Sequence, residues 1–243
     1  MTALPRAILF DLDDTLLSFG RRSLLLLELA EQFAARFAPV TPSEAAAALE
    51  AAFVASWADP VRHKAGRFRL AQFRQEIVED AFARLRAQAP ALTPAFAQDF
   101  GARFHLYREE EALCFPGAVA TVETLKARGV RLALVTNGTS EAQRAKLARF
   151  DLARLFEHVQ IEEEAGFGKP EPQAYQHALT ALGVEARETW MVGDHLEWEV
   201  AAPQRLGIYA IWHDHLQAGL PPGSAIRPDR IIRTIPELLD GLD

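Results

Sequence analysis

The sequence predicts an α/β fold: a Rossmann-like, doubly wound parallel sheet interrupted by an inserted α-helical module. Three observations carry this. Short apolar runs alternate with helical segments over most of the chain, the pattern of βαβ units with right-handed crossovers. The alternation breaks once, after the first strand, over residues 18–112, where Ala, Leu and Arg dominate at helical spacing. The length, 243 residues, suits one sheet domain plus one module. Residues 1–17 and 113–243 are expected to form the sheet domain, and residues 18–112 the helical one.

Arg6-Ala-Ile-Leu-Phe-Asp11 is a short apolar run ending in an acid, as a buried parallel strand would be. From about Arg21 to Glu111 apolar residues recur every three or four positions. Leu26, Leu29, Ala30, Phe33 and Phe37 share one face; Phe68, Phe73, Ile77 and Phe82 share another, less regularly. Breaks at residues 39–42, at Asp59-Pro60, at Gly66 and at residues 90–94 divide the stretch into about four helices. Beyond Phe115-Pro116-Gly117, residues 119–128 read as a helix stopped at Gly129. Residues 131–136 read as a strand, 140–150 as a helix and 158–161 as a strand. Residues 172–182 read as a helix stopped at Gly183, and 189–193 as a strand. A helix then ends near Gly207, its start delayed by Pro203. Residues 208–212 and 230–232 are the last strands, and 221–228 a surface loop.

The net charge is −7, and its distribution is uneven. Residues 17–113 balance 12 basic against 12 acidic side chains, while the others carry 14 and 21. An acidic body is a poor partner for nucleic acid, which requires a basic face. To bind an anion it needs local positive charge, and a divalent metal supplies that. One cysteine, Cys114, excludes an internal disulfide and a multi-cysteine zinc site. It agrees with a reducing compartment, and a cytoplasmic location is expected. No signal peptide is expected, and the greasiest stretch, residues 23–30, is too short to span a bilayer.

Ionisable and polar residues gather where the strands are expected to end. Asp11 and Asp13 follow the first strand, Thr136 and Asn137 the second. Lys169 lies in the loop after the third, and Asp194 follows the fourth. Ligands of open α/β sheets bind at those ends. An acid pair, a hydroxyl, a cation and a further acid therefore converge. Asp11-Leu-Asp-Asp-Thr-Leu16 resembles the first motif of the haloacid dehalogenase superfamily, an apolar strand followed by DxDxT. Val135-Thr136-Asn137-Gly138 resembles the second motif, Gly168-Lys169-Pro170 the third, and Gly193-Asp194 with Glu199 five residues on the fourth. The four stand in the family's order and spacing, over residues 6–17 and about 113–212. Residues 18–112 resemble its helical cap.

The resemblance implies Mg²⁺-dependent hydrolysis of a small phosphomonoester through an aspartyl-phosphate. Asp11 is implied as the nucleophile and Asp13 as the acid that protonates the leaving oxygen, then the base that activates water. Thr136 and Asn137 would donate to phosphoryl oxygens, and Lys169 would neutralise charge there. Asp11, the backbone carbonyl of Asp13, and Asp194 are the implied metal ligands, with Glu199 in the outer shell. Position 199 is Glu where the family more often has Asp. Asp13 favours an oxygen leaving group, because halide leaves without a proton and the family's dehalogenases lack an acid there. The implied partner is a small phosphorylated molecule, such as a sugar phosphate, phosphoglycolate or nucleoside monophosphate. Neither a nucleic acid polymer nor a membrane is expected, and the chain is a monomer or homodimer. A phosphomutase, a dehalogenase-type enzyme and a non-catalytic binding protein on the same fold are the alternatives.

Arg62, His63, Lys64, Arg67 and Arg69 cluster in an expected loop of the helical module. Arg62, Lys64 and Arg67 are candidate substrate-binding cations, with a solvated helix start as the rival reading. Arg21 and Arg22 enter the same module. His195 and Trp198 flank the acids of the fourth motif. His213 and His215 read as loop histidines rather than metal ligands, and Cys114 as a buried hinge residue rather than a nucleophile.

Overall fold

The computed structural model describes residues 4–241. They divide into two compact units. One takes the chain up to Ser18 and from Leu113 onward; the other is Phe19–Ala112.

The second unit is built of helices: α1 (Arg22–Gln32), α2 (Ala34–Phe37), α3 (Pro42–Ala58), α4 (Pro60–Gly66), α5 (Leu70–Leu85) and α6 (Pro94–Glu110). Three of them start alike. Thr41, Asp59 and Thr93 accept N–H bonds from the first turn, and a proline follows each, where its missing N–H is not needed. Phe37, Phe82, Phe96 and Phe100 fill the core with ring centroids 5.3–6.3 Å apart. The face expected from Leu26 to Phe37 is split, since α1 stops at Gln32 and the chain turns at Phe33 into α2. Its residues nonetheless pack into that one core. Phe68 lies outside α5 and is exposed.

Residues 60–66, expected as loop, form α4. Asp59 caps it, accepting from the N–H groups of Val61 and Arg62, so the Asp-Pro pair is a start signal and not a break. Arg62 pairs with Asp80 of α5 at 3.2 Å, and its guanidinium lies over the Phe73 ring. Arg67 lies over the ring of Phe68. The Arg62 contacts fasten α4 to α5.

The first unit carries six parallel strands in the order β5-β4-β1-β6-β7-β8. They are β1 (Ala7–Phe10), β4 (Arg131–Thr136), β5 (His158–Ile161), β6 (Thr189–Gly193), β7 (Tyr209–His213) and β8 (Arg230–Ile232). A two-residue antiparallel ribbon joins β2 (Leu17–Ser18) to β3 (Leu113–Cys114). The helices of this unit are α7 (Ala118–Ala127), α8 (Ser140–Arg149), α9 (Glu162–Ala165), α10 (Pro172–Leu182) and α11 (Ala202–Gln204). Every residue of β1 and β6 is buried, which is why β1 is an unbroken apolar run and β6 carries one polar side chain, Thr189, at its start. Ala7 registers with Arg131 on one side and Thr189 on the other. From β1 the chain winds out to one edge, returns beside β1 as β6, and winds to the other edge. This is the doubly wound order whose reversal opens a crevice at the carboxyl ends of the strands. No helix among the described residues is long and apolar enough to cross a membrane.

Two expectations fail here. The helix after β6 does not start late. It begins at Leu196 as π-helical turns over Leu196–Ala201 and passes into α11. In a π ladder residue 203 would donate to the Trp198 carbonyl. Pro203 has no N–H, and the Tyr175 hydroxyl donates to that carbonyl instead.

His213 is not a loop residue either. It closes β7, fully buried, with its ring 4.9 Å from that of Phe115. Burial, and secondly the neighbouring His215, push its pKa from the ordinary 6.5 down to about 4. Between those values the unfolded chain binds more protons, so this ring withdraws stability as pH falls from about 6.5 to 4, by about 3 kcal/mol in all. His213→Phe is expected to remove that component. Urea unfolding at pH 7.5 and 4.5 should show a pH-dependent stability change about 2–3 kcal/mol smaller in the variant than in the wild type. Identical pH dependence in the two proteins would contradict the assignment.

Candidate active site

The loop after β1 begins the site. Asp11 is anchored by its own N–H to the Val192 carbonyl of β6 at 3.0 Å, which fixes where its side chain leaves the sheet. Thr15 Oγ1 donates to Asp11 Oδ2 at 2.9 Å, and Lys169 Nζ lies 2.5 Å from Asp11 Oδ1. Both carboxylate oxygens are thus engaged. Burial raises the Asp11 pKa to about 6; Lys169 opposes that shift, and Glu199 and Asp13 add to it.

Lys169 is 1% exposed, between Asp11 and Glu199, whose Oε1 is 2.7 Å from Nζ. Burial alone would lower its pKa; the two carboxylates outweigh burial and hold it above the ordinary lysine value. Its backbone is set by Asn137. Asn137 Nδ2 donates to the Lys169 carbonyl at 2.8 Å, and the Lys169 N–H donates to Asn137 Oδ1 at 2.9 Å. Asn137 therefore clamps the end of β4 to the lysine loop. Gly168 lets this happen, because a Cβ there would meet Asn137 Oδ1 at 2.6 Å.

Glu199 comes from the π-helical turns. Its Oε2 accepts the His195 N–H at 2.8 Å while Oε1 takes Lys169, and the residue is 1% exposed. Gly193 makes room for it, since a Cβ there would sit 1.9 Å from Glu199 Cγ. Asp194, at the end of β6, has its carboxyl pushed well above the usual carboxylate range. Burial is the first cause, followed by Glu199, Asp11 and Asp14, with Lys169 only partly offsetting them. His195 is exposed and stacks on Trp198 with centroids 4.3 Å apart.

Asp13 takes other partners. Lys146 Nζ on α8 lies 2.9 Å from Oδ1 and 2.7 Å from Oδ2. Gln143 Nε2 donates to Asp13 Oδ2 at 3.1 Å, to the Asn137 carbonyl at 3.1 Å, and to Thr136 Oγ1. Thr136 is buried at the end of β4. Because its oxygen accepts from Gln143, its own hydroxyl hydrogen points elsewhere.

The strand ends thus bring together Asp11, Asp13, Thr136, Asn137, Lys169, Asp194 and Glu199, all within the sheet unit. Arg62, Lys64 and Arg67 belong to the helical unit, where Arg62 is engaged by Asp80. Cys114 is half-buried in β3, and burial pushes its thiol up, away from a nucleophile's range. Sequence reasoning missed Gln143 and Lys146. The available signal was their spacing: one turn apart on the helix that opens directly after Thr136-Asn137-Gly138.

A divalent cation fits this donor set. Three carboxylates, Asp11, Asp14 and Glu199, act on a fourth, Asp194, and Lys169 is the cation that opposes them there. The donors are oxygens, as Mg²⁺ prefers, and Mg²⁺ commonly takes only one or two carboxylates with waters. Among the described residues no group of three or more His, Cys, Asp or Glu side chains is set to hold a metal, His213 and His215 included. The expected ligands include two side chains and one backbone carbonyl.

Comparison with known proteins agrees with this geometry. The haloacid dehalogenase-like hydrolase family model matches residues 5–207. A phosphoserine phosphatase of Thermus thermophilus is 34% identical over 89% of this chain and 90% of its own. A glyceraldehyde 3-phosphate phosphatase of Pyrococcus furiosus is 33% identical over 53% of this chain and 54% of its own. A HAD-hydrolase of Bacillus subtilis, crystallised bound to magnesium, shares the fold with a TM-score of 0.70 at 24% identity, over 97% of each chain. With four motifs at the strand ends and a family match over most of its length, the chain belongs to the haloacid dehalogenase-like hydrolases.

Proposed function

We propose that the chain hydrolyses small phosphomonoesters through a phosphoryl group carried on Asp11. The carrying observation is the pairing of Asp11 with Lys169 at 2.5 Å while a second carboxylate, Asp13, stands two residues on with separate partners. Two carboxylates in different surroundings can divide the work of nucleophile and acid–base. Asp11 attacks phosphorus, and the bond to the leaving oxygen breaks as Asp13 delivers a proton to it. Water, activated by Asp13, then attacks phosphorus and frees Asp11. Lys169 offsets the charge of Asp11 and of the phosphoryl oxygens. Thr136 directs its hydroxyl hydrogen to those oxygens. The side-chain amide of Asn137 is committed to Lys169, so its backbone N–H is the donor it brings.

Mg²⁺ would be held by Asp11, the backbone carbonyl of Asp13 and Asp194. When bound, it neutralises the carboxylates and withdraws charge from the phosphoryl oxygens. Glu199, with both oxygens engaged, holds Lys169 in place. Arg62, Lys64 and Arg67 are given no part in the reaction. The relatives named for phosphoserine and glyceraldehyde 3-phosphate support a small phosphorylated substrate. Asp13 supports an oxygen leaving group over halide.

A panel of phosphoserine, glyceraldehyde 3-phosphate, sugar phosphates, phosphoglycolate and nucleoside monophosphates, with para-nitrophenyl phosphate as control, tests the reading. Turnover is expected with Mg²⁺, is expected to disappear on chelation and to return when Mg²⁺ is restored. Ca²⁺ should inhibit, since it takes more and longer oxygen bonds and misplaces Asp11. Mg²⁺ should also raise the melting temperature of the wild type and do so less in Asp194→Asn. Full activity in excess chelator, with metal content checked, contradicts the metal assignment. Silence on every phosphate contradicts the function.

A further inference from the structure

The buried face of α8 departs from the pattern of a packed helix. Its buried residues are Gln143, Lys146 and Leu147. Positions i, i+3 and i+4 form one stripe, and such a stripe is ordinarily apolar. Here two of the three are polar, and one carries a charge whose side chain is only 10% exposed. A buried ion pair is weak evidence for stability, because desolvation consumes most of what the attraction returns. A leucine or methionine at position 146 would serve packing at least as well. A local rule broken without a gain in stability points to function.

Both polar residues of the stripe reach Asp13. Asp13 follows β1 with its side chain 35% exposed, and its carboxylate takes bonds from α8. Lys146 reaches both of its oxygens, and Gln143 ties one of them to Thr136 Oγ1 and the Asn137 carbonyl. An ammonium has three rotatable donors. It can keep hold of a carboxyl group that gains or loses a proton, because one oxygen always remains to accept.

We propose that Lys146 is a positioning residue for proton transfer: it holds Asp13 at the fixed place from which Asp13 serves the leaving oxygen. This rests on the phosphatase reading above. It goes beyond that reading by assigning a role to a residue outside the four motifs. The alternative is an ordinary ion pair that secures α8 to the loop. The two differ in which substrates notice its loss. A proton from Asp13 matters when the leaving group is a poor one, such as an alkoxide. Para-nitrophenolate departs without it. The parameter to compare is kcat/KM, which reports steps up to the transfer of the phosphoryl group to Asp11.

Lys146→Met is therefore measured against wild type on phosphoserine, or the best alkyl phosphate of the panel, and on para-nitrophenyl phosphate. General acid catalysis contributes about 10²–10⁴-fold, and a displaced acid loses part of that. The expected result is a fall in kcat/KM of roughly 30- to 100-fold on the alkyl phosphate and less than about 3-fold on para-nitrophenyl phosphate. KM for the alkyl phosphate should stay within about 3-fold of wild type, and Lys146→Arg should recover about tenfold of the loss. Lys146→Gln, which keeps a donor without the charge, gives the same comparison if the methionine variant does not fold. Equal falls on both substrates, or no fall on either, overturn the proposal while leaving the phosphatase reading intact. A wild type silent on both substrates overturns the reading itself.

Discussion

Asp11→Asn is expected to lower turnover by at least about 10⁴-fold and to leave the fold intact, because loss of a covalent nucleophile is among the largest single-residue effects known in enzymes. The amide keeps the shape of the carboxylate and cannot carry the phosphoryl group. Its effect on stability runs the other way. Burial raises the Asp11 pKa to about 6 even with Lys169 beside it, so the ionised form is held at an energetic disadvantage. A carboxylate whose folded pKa lies above its ordinary 3.8 favours the folded state at low pH and withdraws stability as pH rises toward 6. A neutral amide does not withdraw it. In chelator at pH 8 the variant should therefore match or exceed the wild type in urea unfolding. Mg²⁺ should then stabilise the wild type more than the variant, since one ligand is gone. Near wild-type turnover by a pure, deamidation-free variant would rule out covalent catalysis at Asp11. A large loss of stability at pH 8 would mean that the Thr15 and Lys169 contacts outweigh the charge.

The sheet was legible because its physics is local. Strands β4, β5 and β6 lie at the residues expected, and for β4 and β6 the reason is that a buried parallel strand is a largely apolar run that stops where polar side chains begin. Helix α10 was legible from Pro172 at its start and Gly183 at its end. The ribbon of β2 and β3 was not, because two residues per strand give no periodicity and their partner lies far along the chain. Helix α4 was misread because Asp59-Pro60 ends one helix and starts the next with the same two residues. His213 escaped because one added residue of β7 carries it from the expected loop into the interior. The site divides in the same way. Strand ends name the residues that gather, but composition does not say which partner each takes. Lysine on a helix ordinarily marks the solvent face, so only the packing of α8 shows that Lys146 turns inward to Asp13. The resemblance implies Glu199 as an outer-shell metal residue, and only the structure shows that its carboxylate takes Lys169 and the His195 N–H.

Lys169→Met is the second large effect, and it couples activity to pH-dependent stability. Methionine nearly keeps the volume and removes the cation that lies 2.5 Å from Asp11 and 2.7 Å from Glu199. Loss of one preorganised electrostatic contact lowers kcat by about 10²–10³-fold. Lys169 serves both the nucleophile and the phosphoryl group, so at least about 10³-fold is expected. Removing one partner of a buried pair also destabilises, by roughly 3–5 kcal/mol, because the other charges stay behind. Here they are Asp11, Glu199 and Asp194, and Asp194 is already pushed well above the usual carboxylate range. Lys169 opposes the upward shift of Asp11 and of Asp194, so without it these two carboxyls bind their protons more tightly still in the folded state than in the unfolded one. Folded stability then falls as pH rises. In the wild type the Asp11 contribution to that fall is complete by a little above pH 6, its folded pKa. In the variant it continues to higher pH. The stability gap between the two proteins should therefore be modest near pH 5 and widen steadily above about 6, in chelator, where no metal ion replaces the lost charge. Urea unfolding of both proteins at half-unit steps from pH 5 to 9 measures it directly. A gap that stays constant across that range would show that Lys169 contributes through packing, and that the charges around Asp11 are balanced by something other than this lysine.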